Sequence, residues 1–355
     1  MTQRPPDDCR RALVTGATGF IGSRIAHYLI DKGIEVRALV RQLGFKTIVG
    51  CQAVRGDVAD YSSLRSAFQN CDLVFHCAWG GASLSEARRI NVDGACNVIA
   101  AAAATGVRRV VHLSSMAVHG RRLPPVLSEN HPLCFRGDPY GLSKAEGEQA
   151  VLDRGAGDGV EVVVLRPTLV YGPRSPIWLI SYFNRVKREQ IALVNGGRGL
   201  ANLVFIDDLL TAMWAAATVP DVSGQAFLIS GEPPPTWREY IECFARMCGK
   251  PLPPSLSRLR ASVEAQWMRV YSVFTRRPRR VLPMDLALMT QNTVVSTEKA
   301  RRLLNYRPRV SLQDGMLCCE TWLREEGYLP PNLRPCQRSP VLHRASGSTE
   351  HAVRV

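Results

Sequence analysis

Apolar runs and amphipathic stretches alternate along the first half of the chain. Near-continuous apolar runs predict strands that are buried on both faces, and apolar residues three and four positions apart predict helices between them. We predict buried strands at Arg11–Val14, Glu35–Val40, Cys71–Ala78, Arg108–Ser114 and Val160–Leu165, with a further strand ending at Gly56-Asp57. Strands that alternate with helices in this way build a doubly wound α/β fold around a parallel sheet.

Helical patterns continue beyond the last predicted strand and indicate a smaller C-terminal substrate-binding lobe. The main predicted helices are 20–30, 86–105, 237–247, 296–304 and 311–325. The domain prediction is an N-terminal tail at 1–10, a dinucleotide-binding Rossmann domain at 11–170 with returning elements near 203–230, a C-terminal lobe at 171–330 and a disordered basic tail at 331–355. This last segment is rich in Pro, Ser and Arg and lacks apolar periodicity.

Three glycines stand between the first strand and the first helix, in the stretch Val14–Gly22. A strand that turns into a helix aims backbone N–H groups and the positive end of the helix dipole at one place, which suits a pyrophosphate. Gly16 permits the tight turn, Gly19 lets phosphates approach the backbone, and Gly22 lets the helix pack closely. The alternative is a glycine loop that serves only its turn.

The distribution of charge argues against a nucleic-acid partner. The net charge is +14, but twelve Lys and Arg stand against three acidic residues between 251 and 310, so much of the excess lies late in the chain. The dinucleotide-binding half is close to balanced. No basic face is therefore expected across the whole protein.

The N-terminus and the cysteines favour a cytoplasmic protein. Residues 1–10 include two prolines and two aspartates without an apolar core, which does not resemble a secretory leader, and no apolar run approaches membrane-spanning length. The eleven cysteines are odd in number and lack zinc-ligand spacing. Reduced packing thiols, and no metal site, are the interpretation.

Seven short motifs occur in a characteristic order. They are Thr15-Gly-x-x-Gly-x-x-Gly22, Gly56-Asp57-Val58, His76-x-Ala78, Asn91-Val92-Asp93-Gly94, Ser114-Ser115, Tyr140-x-x-x-Lys144 and Arg166-Pro167. With these motifs the chain resembles the extended short-chain dehydrogenase/reductases, also called the NAD-dependent epimerase/dehydratase family, over residues 11–329. The resemblance implies a Rossmann fold, a nicotinamide dinucleotide and an enzyme that moves a hydride.

Tyr140 and Lys144 are four residues apart on a predicted helix, hence on one face and within reach of each other. A free tyrosine has a pKa of about 10, and a nearby ammonium and the positive nicotinamide ring both lower it. By resemblance, Tyr140 is the proton donor or acceptor, Lys144 is its tuner and a ribose ligand, and Ser115 holds the substrate oxygen. The alternatives are a chance Tyr–Lys pair and a serine that only caps the turn after its strand.

The end of the second strand bears on the choice between NAD and NADP. An acidic residue there binds the ribose hydroxyls of NAD, whereas a basic residue pairs with the 2′-phosphate of NADP. Arg37 and Arg41 are the candidates, and no Asp or Glu directly follows the strand. NADP is therefore favoured, and the alternative is that both arginines are solvated.

The resemblance implies the remaining cofactor contacts. Asp57 is expected to accept from the adenine amino group, and the backbone of 168–170 to hold the nicotinamide carboxamide. The complete set of predicted cofactor-binding residues is Gly16, Thr18, Gly19, Phe20, Ile21, Gly22, Arg41, Asp57, Val58, Cys77, Ala78, Ser114, Tyr140, Lys144, Pro167, Thr168 and Val170.

Three features outside these motifs receive their own interpretations. Asp207 is interpreted as a helix N-cap, and His119, which stands where the family usually has tyrosine, as a packed side chain. Between Ser257 and Arg280 apolar residues recur at helical spacing and a basic run follows. This segment is a lid over a hydrophobic substrate, a helix on an anionic membrane surface or an ordinary packing helix.

The favoured function is an NAD(P)-dependent oxidoreductase that interconverts a secondary alcohol and a ketone on an apolar small molecule. Dehydration is disfavoured because Met116-Ala117 stand where sugar-nucleotide 4,6-dehydratases carry an acidic pair. One alternative is a nucleotide-sugar epimerase that oxidises its substrate transiently with tightly held NAD. A second is a non-catalytic dinucleotide-sensing protein. The sequence leaves open a homodimer through the family's common two-helix contact.

Overall fold

A computed structural model describes residues 9–44, 48–264 and 283–330. In chain order, its strands are β1 (Arg11–Thr15), β2 (Glu35–Val40), β3 (Cys51–Arg55), β4 (Leu73–His76), β5 (Arg109–Leu113), β6 (Val126–Leu127), β7 (Glu161–Pro167), β8 (Leu169–Tyr171), β9 (Leu193–Val194), β10 (Leu203–Phe205), β11 (Ala226–Ile229), β12 (Ser255–Leu256) and β13 (Val294–Val295). Seven of them form one parallel sheet in the order β11-β7-β5-β4-β1-β2-β3.

Helices cover both faces of this sheet. In chain order they are α1 (Phe20–Asp31), α2 (Tyr61–Ala67), α3 (Leu84–Arg88), α4 (Gly94–Thr105), α5 (Pro139–Asp158), α6 (Tyr182–Lys187), α7 (Ile206–Thr218), α8 (Trp237–Met247), α9 (Pro283–Met289), α10 (Glu298–Leu304) and α11 (Leu312–Glu325). Helices α2, α4 and α5 pack on one face through Leu64, Val98 and Val151. Helices α1 and α7 pack on the other through Ile25 and Leu209. The predicted doubly wound fold is confirmed.

The strand order reverses at β1, which pairs with β2 on one side and with β4 on the other. Across β1, β4 and β5, the register sets Thr15 beside His76 and His76 beside His112. In open parallel sheets of this kind, ligands bind beyond the carboxyl ends of the strands at the point of reversal. The glycine loop follows β1 at that edge.

Shorter elements complete the smaller C-terminal lobe. Strands β8 and β10, β9 and β12, and β6 and β13 pair in three two-stranded sheets. Stacked and edge-to-face aromatic side chains form part of the core there, with Tyr182, Trp237 and Tyr240 in mutual contact. All three are fully buried, so this lobe has a packed interior continuous with one face of the sheet.

Most predicted element boundaries lie within a few residues of the observed ones. Helix α8 and strand β2 match the prediction, and β7 ends at Pro167, which cannot donate to a ladder. The helix predicted over 86–105 begins earlier, at Leu84, and contains a π-helical turn over Arg89–Asp93. The interpretation of Asp207 as an N-cap is wrong. Phe205 holds the N-cap position of α7.

The predicted amphipathic segment 257–280 lies largely outside the described residues, which end at 264 and begin again at 283. The predicted tail 331–355 also lies outside them. Within the described residues, the helices are too short or too polar to cross a membrane. Ten cysteines lie among the described residues, and no disulfide joins any two of them.

Candidate active site

The loop after β1 is shaped by its glycines. Gly16 has a φ of +64°, and a Cβ there would stand 2.8 Å from the backbone nitrogen of Ala78. A Cβ on Gly22 would stand 2.1 Å from the carbonyl oxygen of Gly16, while the N–H of Gly19 donates to that oxygen at 2.9 Å. The loop is therefore pressed against the end of β4, and larger residues do not fit at Gly16 or Gly22.

Helix α1 begins at this loop with its N–H groups accessible. Gly19 is the N-cap, no side chain of the described residues caps the helix, and its first turn contains no acidic residue. Uncapped N–H groups and the helix dipole attract anions. The residues here, exposed Thr18 and Gly19 with half-buried Phe20 and Ile21, therefore fit a dinucleotide pyrophosphate.

Asp57 and Val58 follow β3 but serve the protein itself. A carboxylate oxygen of Asp57 accepts from the N–H of Ala59 at 2.9 Å, and the N–H of Asp57 donates to the hydroxyl of Ser63 at 3.0 Å. Val58 is buried and packs against Gly94. The contact of Asp57 with adenine stays a prediction, and its carboxylate already holds the turn that precedes α2.

The two arginines of β2 have different environments. The guanidinium of Arg37 donates to the side chain of Gln52 at 3.1 Å and to the carbonyl oxygens of Ala67 and Gln69 at 3.0 and 2.6 Å. These bonds occupy Nε and Nη1 of Arg37, and its contact with a 2′-phosphate stays a prediction. Arg41 is exposed directly after β2 and makes no hydrogen bond or ion pair with any described residue.

The start of α5 sets the position of Tyr140. Asp138 caps the helix by accepting from the N–H of Gly141 at 3.0 Å, and Pro139 occupies the first helical position. Tyr140 is thereby held in the first turn, and Lys144 follows one turn later on the same face. The predicted helix and the predicted i, i+4 relationship of the two residues are both present.

Ser115 follows β5 and faces Tyr140. Its oxygen accepts from the N–H of Ala117 at 3.2 Å, which caps a short 3₁₀ turn over Met116–His119. The Ser115 hydroxyl also lies close enough to the Tyr140 phenol to lower its pKa. Ser115 therefore caps the turn after its strand, and its role in holding the substrate oxygen stays a prediction.

The pKa of Tyr140 moves in the opposite direction to the prediction. Burial of the hydroxyl end raises it from 10.0, and the nearby Ser115 hydroxyl offsets part of that rise. Lys144 is not among the groups that shift it. The tuning of Tyr140 by Lys144 and a nicotinamide ring stays a prediction, and in this structure the ammonium donates to the carbonyl oxygen of Leu113.

Lys144 is buried beside the end of β5. Its ammonium donates to the carbonyl oxygen of Leu113 at 2.7 Å. Burial lowers the pKa of Lys144 from 10.5 to about 8, while Cys77 and Glu148 oppose that shift. A buried ammonium whose pKa lies near neutrality is typical of functional sites.

A row of polar side chains continues from the strands toward Lys144. The Thr15 hydroxyl lies 2.7 Å from Nδ1 of His76, and the His76 and His112 rings are 5.1 Å apart. Burial and the charge of Lys144 lower the pKa of His76 to about 3, so the imidazole is neutral. The sequence analysis did not assign these histidines a role, although the register of β4 and β5 makes them neighbours.

Ser114 belongs to a buried ionic network. Its hydroxyl donates to a carboxylate oxygen of Glu148 at 2.6 Å, and the same carboxylate is paired with the guanidinium of Arg166. Arg166 in turn lies 3.2 Å from Nε2 of His119, which is buried as predicted. Because its hydroxyl is engaged, Ser114 is placed to orient α5 against the sheet, and its cofactor contact stays a prediction.

The segment after β7 is likewise bonded within the protein. The N–H of Thr168 donates to the carbonyl of Ile229 at 2.9 Å, and that of Leu169 to Asn202 at 3.0 Å. The Thr168 N–H is thus engaged within the protein, and the predicted contact of the 168–170 backbone with the nicotinamide carboxamide stays a prediction. Contacts at Val170, which is buried on the next strand, stay a prediction.

Two residues at the site were missed by the sequence analysis. Trp79 is exposed, and its ring meets the Tyr140 ring edge to face. The side-chain amide of Asn91 hydrogen-bonds the backbone of Gly80, the residue after Trp79. The Asn91 motif was noticed only as part of the resemblance, and Trp79 carried no local signal.

Among the described residues, no group of three or more His, Cys, Asp or Glu is arranged to hold a metal.

Comparison with known proteins then supplies the family. The model of the NAD dependent epimerase/dehydratase family matches residues 12–230. The chain belongs to this family. The predicted fold, family and enzyme class are confirmed: the protein is an NAD(P)-dependent oxidoreductase of the extended short-chain dehydrogenase/reductase type.

Curated relatives within this family are reductases and dehydrogenases. A 4-hydroxy-2-methyl-3-oxo-4-farnesyl-3,4-dihydroquinoline-1-oxide ketoreductase of Stigmatella aurantiaca is 30% identical, over 86% of this chain and 94% of that protein. A 2-alkyl-3-oxoalkanoate reductase of Stenotrophomonas maltophilia is also 30% identical, over 86% and 97%. A 3 beta-hydroxysteroid dehydrogenase/Delta 5-->4-isomerase of Mycobacterium tuberculosis is 28% identical, over 87% and 89%.

Solved structures of the same fold include two at 25% identity. The crystal structure of gox2253 has a TM-score of 0.73 and covers 90% of this chain and 99% of that one. MoeE5, solved in complex with UDP-glucose and NAD, has a TM-score of 0.71 with 89% and 99% covered. A nicotinamide dinucleotide as cofactor and a small molecule as substrate are thereby confirmed as classes.

Proposed function

We propose that this family member interconverts a ketone and a secondary alcohol on a largely apolar small molecule, with NADP as the preferred dinucleotide. The observation that carries the proposal is the meeting of Ser115, Tyr140 and Lys144 at the carboxyl edge of the sheet, next to the glycine loop. When bound, the nicotinamide supplies or accepts the hydride. The side chains of this protein supply the proton and hold the substrate oxygen.

Tyr140 is the proposed proton donor in ketone reduction and the acceptor in alcohol oxidation. Its hydroxyl is desolvated and lies near that of Ser115, so a carbonyl oxygen placed between the two hydroxyls would receive two hydrogen bonds. Hydrogen-bond donors aimed at an oxygen that gains negative charge lower the barrier to its formation. Ser115 is held for this task by the N–H of Ala117.

Lys144 is the proposed ribose ligand. Burial favours loss of its proton near pH 8, so an ammonium here gains from any acceptor hydroxyl brought within reach. The carbonyl of Leu113 holds it at the end of β5. Binding of the ribose would restore to the ammonium some of the solvation that burial removes.

The preference for NADP rests on Arg41. The side chain is exposed at the end of β2, free of bonds to the described residues, where a 2′-phosphate would lie in a Rossmann unit. An apolar substrate is supported by the relatives, whose names specify a farnesyl group, an alkyl chain and a hydroxysteroid. The cytoplasmic location and the homodimer stay predictions.

A nucleotide-sugar epimerase is the second candidate, favoured by the likeness to MoeE5 with UDP-glucose and NAD. The test is to incubate the purified protein with NADPH or NADH and a series of apolar ketones, and separately with NAD and UDP-glucose. Ketone-dependent loss of the reduced nicotinamide absorbance, greater with NADPH, is expected. Conversion of UDP-glucose without net absorbance change, together with no ketone turnover, would contradict the proposal and favour the epimerase.

A further inference from the structure

Trp79 is an exposed tryptophan in contact with the proposed catalytic tyrosine. The two ring centroids lie 5.5 Å apart, and the ring planes meet at 76°. Trp79 keeps 59% of its surface exposed and Tyr140 keeps 39%. Two exposed aromatic rings that meet edge to face form the two walls of an apolar corner.

Hydrogen bonds hold the backbone on both sides of Trp79. The N–H of Ala78 donates to the Thr15 hydroxyl at 3.2 Å. The side-chain amide of Asn91 accepts from the N–H of Gly80 at 3.1 Å and donates to its carbonyl at 3.3 Å. The backbone is thus ordered before any ligand arrives, so that ordering costs little on binding.

Asn91 also joins this loop to the helix of Tyr140. It is buried, and its amide donates to the Ser143 hydroxyl at 3.0 Å. That hydroxyl donates to the backbone carbonyl of Tyr140 at 3.2 Å. The backbone segments that carry the indole and the phenol are therefore linked through Asn91 and Ser143. These hydrogen bonds fix the distance between the two rings.

The exposure of Trp79 contrasts with other tryptophans of the chain. Trp237 and Trp214 are buried in the core, where an indole contributes by removing apolar surface from water. Trp79 leaves most of its surface in water at the sheet edge where ligands bind. Exposed aromatic side chains fixed at such a place supply a large contact area at a low cost in rotamer entropy.

We propose that Trp79 is a specificity-determining residue, whose indole packs against the apolar group next to the reacting carbonyl. This role rests on the proposed function, because it takes Tyr140 as the group that meets the carbonyl oxygen. Preferred substrates then carry a flat or branched ring directly on the carbonyl carbon. A short aliphatic ketone reaches the phenol without covering the indole, so it gains no affinity from Trp79.

The test compares acetophenone with butanone as substrates, with NADPH, for the wild type, Trp79→Ala and Trp79→Phe. Trp79→Ala is expected to lower kcat/KM for acetophenone about tenfold and to leave that for butanone within about twofold, since contact with one aromatic face accounts for such a change. Trp79→Phe restores most of the loss. Leu317→Ala, at an exposed apolar residue of α11, is the control and is expected to change neither value.

Binding measured without turnover separates this inference from the proposed function. In the Tyr140→Phe background with NADP present, calorimetry with acetophenone is expected to show about tenfold weaker binding after Trp79→Ala. If the wild type reduces neither ketone but this difference is found, the proposed function fails, while the contact of the Trp79 indole with the ring of the ligand stands. Equal losses for both ketones, no loss for acetophenone, or no acetophenone binding would overturn the role of Trp79.

Discussion

The Lys144 ammonium donates a hydrogen bond of 2.7 Å to the carbonyl oxygen of Leu113. This bond joins the second turn of helix α5 to the last residue of β5, directly before the two serines that follow the strand. One acceptor replaces only part of the water that an ammonium loses on burial, and this explains why the pKa of Lys144 is lowered to about 8. The free-energy cost of burying Lys144 therefore depends on pH.

Lys144→Met should remove that cost. The folded-state pKa lies below the ordinary lysine value of 10.5, so below pH 8 both states carry the proton and the folded state bears the desolvation. As the pH rises from 8 to 10.5, the folded state loses the proton before the unfolded state does. The free energy of unfolding of the wild type therefore rises toward that of the variant. The advantage of Lys144→Met in unfolding free energy is expected to shrink by about 3 kcal/mol over this range. Urea unfolding at several pH values measures it.

Lys250→Met is the matched control, because Lys250 pairs with Glu189 at the surface. Subtracting its effect removes the contribution of an ordinary surface lysine. A difference between wild type and Lys144→Met that stays constant from pH 7 to pH 10.5 would contradict the lowered pKa of Lys144.

Glu148→Gln is expected to lower the free energy of unfolding by about 3–5 kcal/mol, because it leaves Arg166 buried without its counter-ion. The double variant with Arg166→Met should recover part of that loss. Urea denaturation measures each value. Asp158→Asn, which breaks the exposed pair with Arg154, should change stability by less than about 1 kcal/mol. Similar effects at both pairs would argue against a special role for burial.

Gly16→Ala should cost more than a positive φ alone accounts for. Gly33 has a φ of +79° with no atom within 4 Å of an added Cβ, so Gly33→Ala measures the conformational cost, about 1 kcal/mol. At Gly16 the added Cβ also meets the backbone of Cys77 and Ala78. Gly16→Ala is expected to lose at least about 2 kcal/mol more in chemical denaturation. Equal losses would mean that the loop relaxes freely.

Tyr140→Phe is expected to lower turnover about 10³-fold without changing dinucleotide affinity, because it removes the proposed proton donor and retains the ring. Tyr61→Phe is the matched control, since Tyr61 is also 39% exposed and lies on α2. Ketone-dependent NADPH oxidation and fluorescence titration with NADP report the two quantities. Full turnover by Tyr140→Phe would remove this residue from the chemistry.

Arg41→Ala should weaken NADP binding about tenfold or more and leave NAD binding unchanged, because only NADP carries the 2′-phosphate that a guanidinium would pair with. Arg65→Ala, at an exposed arginine of α2, controls for the loss of one positive charge. Titration of each variant with both dinucleotides measures the ratio of affinities. A parallel loss for NAD and NADP would rule out recognition of that phosphate.

Local sequence patterns were sufficient to predict the parallel sheet and the positions of most of its strands along the chain. Strand β2 was predicted over Glu35–Val40 from its alternating pattern and is observed there, with Val36 and Ala38 buried between exposed Glu35 and half-buried Arg37. The glycine loop was also predicted from local sequence, because a positive φ at Gly16 is a property of that residue and its neighbours. Helix α8 was also predicted, from its amphipathic spacing between Trp237 and Met247.

Side-chain partners could not be predicted in this way. Arg37 was a candidate phosphate ligand, and the sheet brings it to Gln52 in β3. The cofactor contact predicted for Ser114 stays untested, and the bond of its hydroxyl to the carboxylate of Glu148 on α5 had no signal in the sequence. In each case, a buried or half-buried polar group bonded to the nearest available partner within the protein, because an unpaired polar group there is costly.

By itself, the sequence determined the strand–glycine loop–helix unit and the one-turn spacing of Tyr140 and Lys144, because both depend on residues that are close along the chain. Only the tertiary structure decided which distant groups meet. It pairs Arg24 with Asp207, 183 positions away, and sets Trp79 against Tyr140. Such contacts depend on the order of strands in the sheet and on the helices packed over it, which no short stretch of sequence encodes.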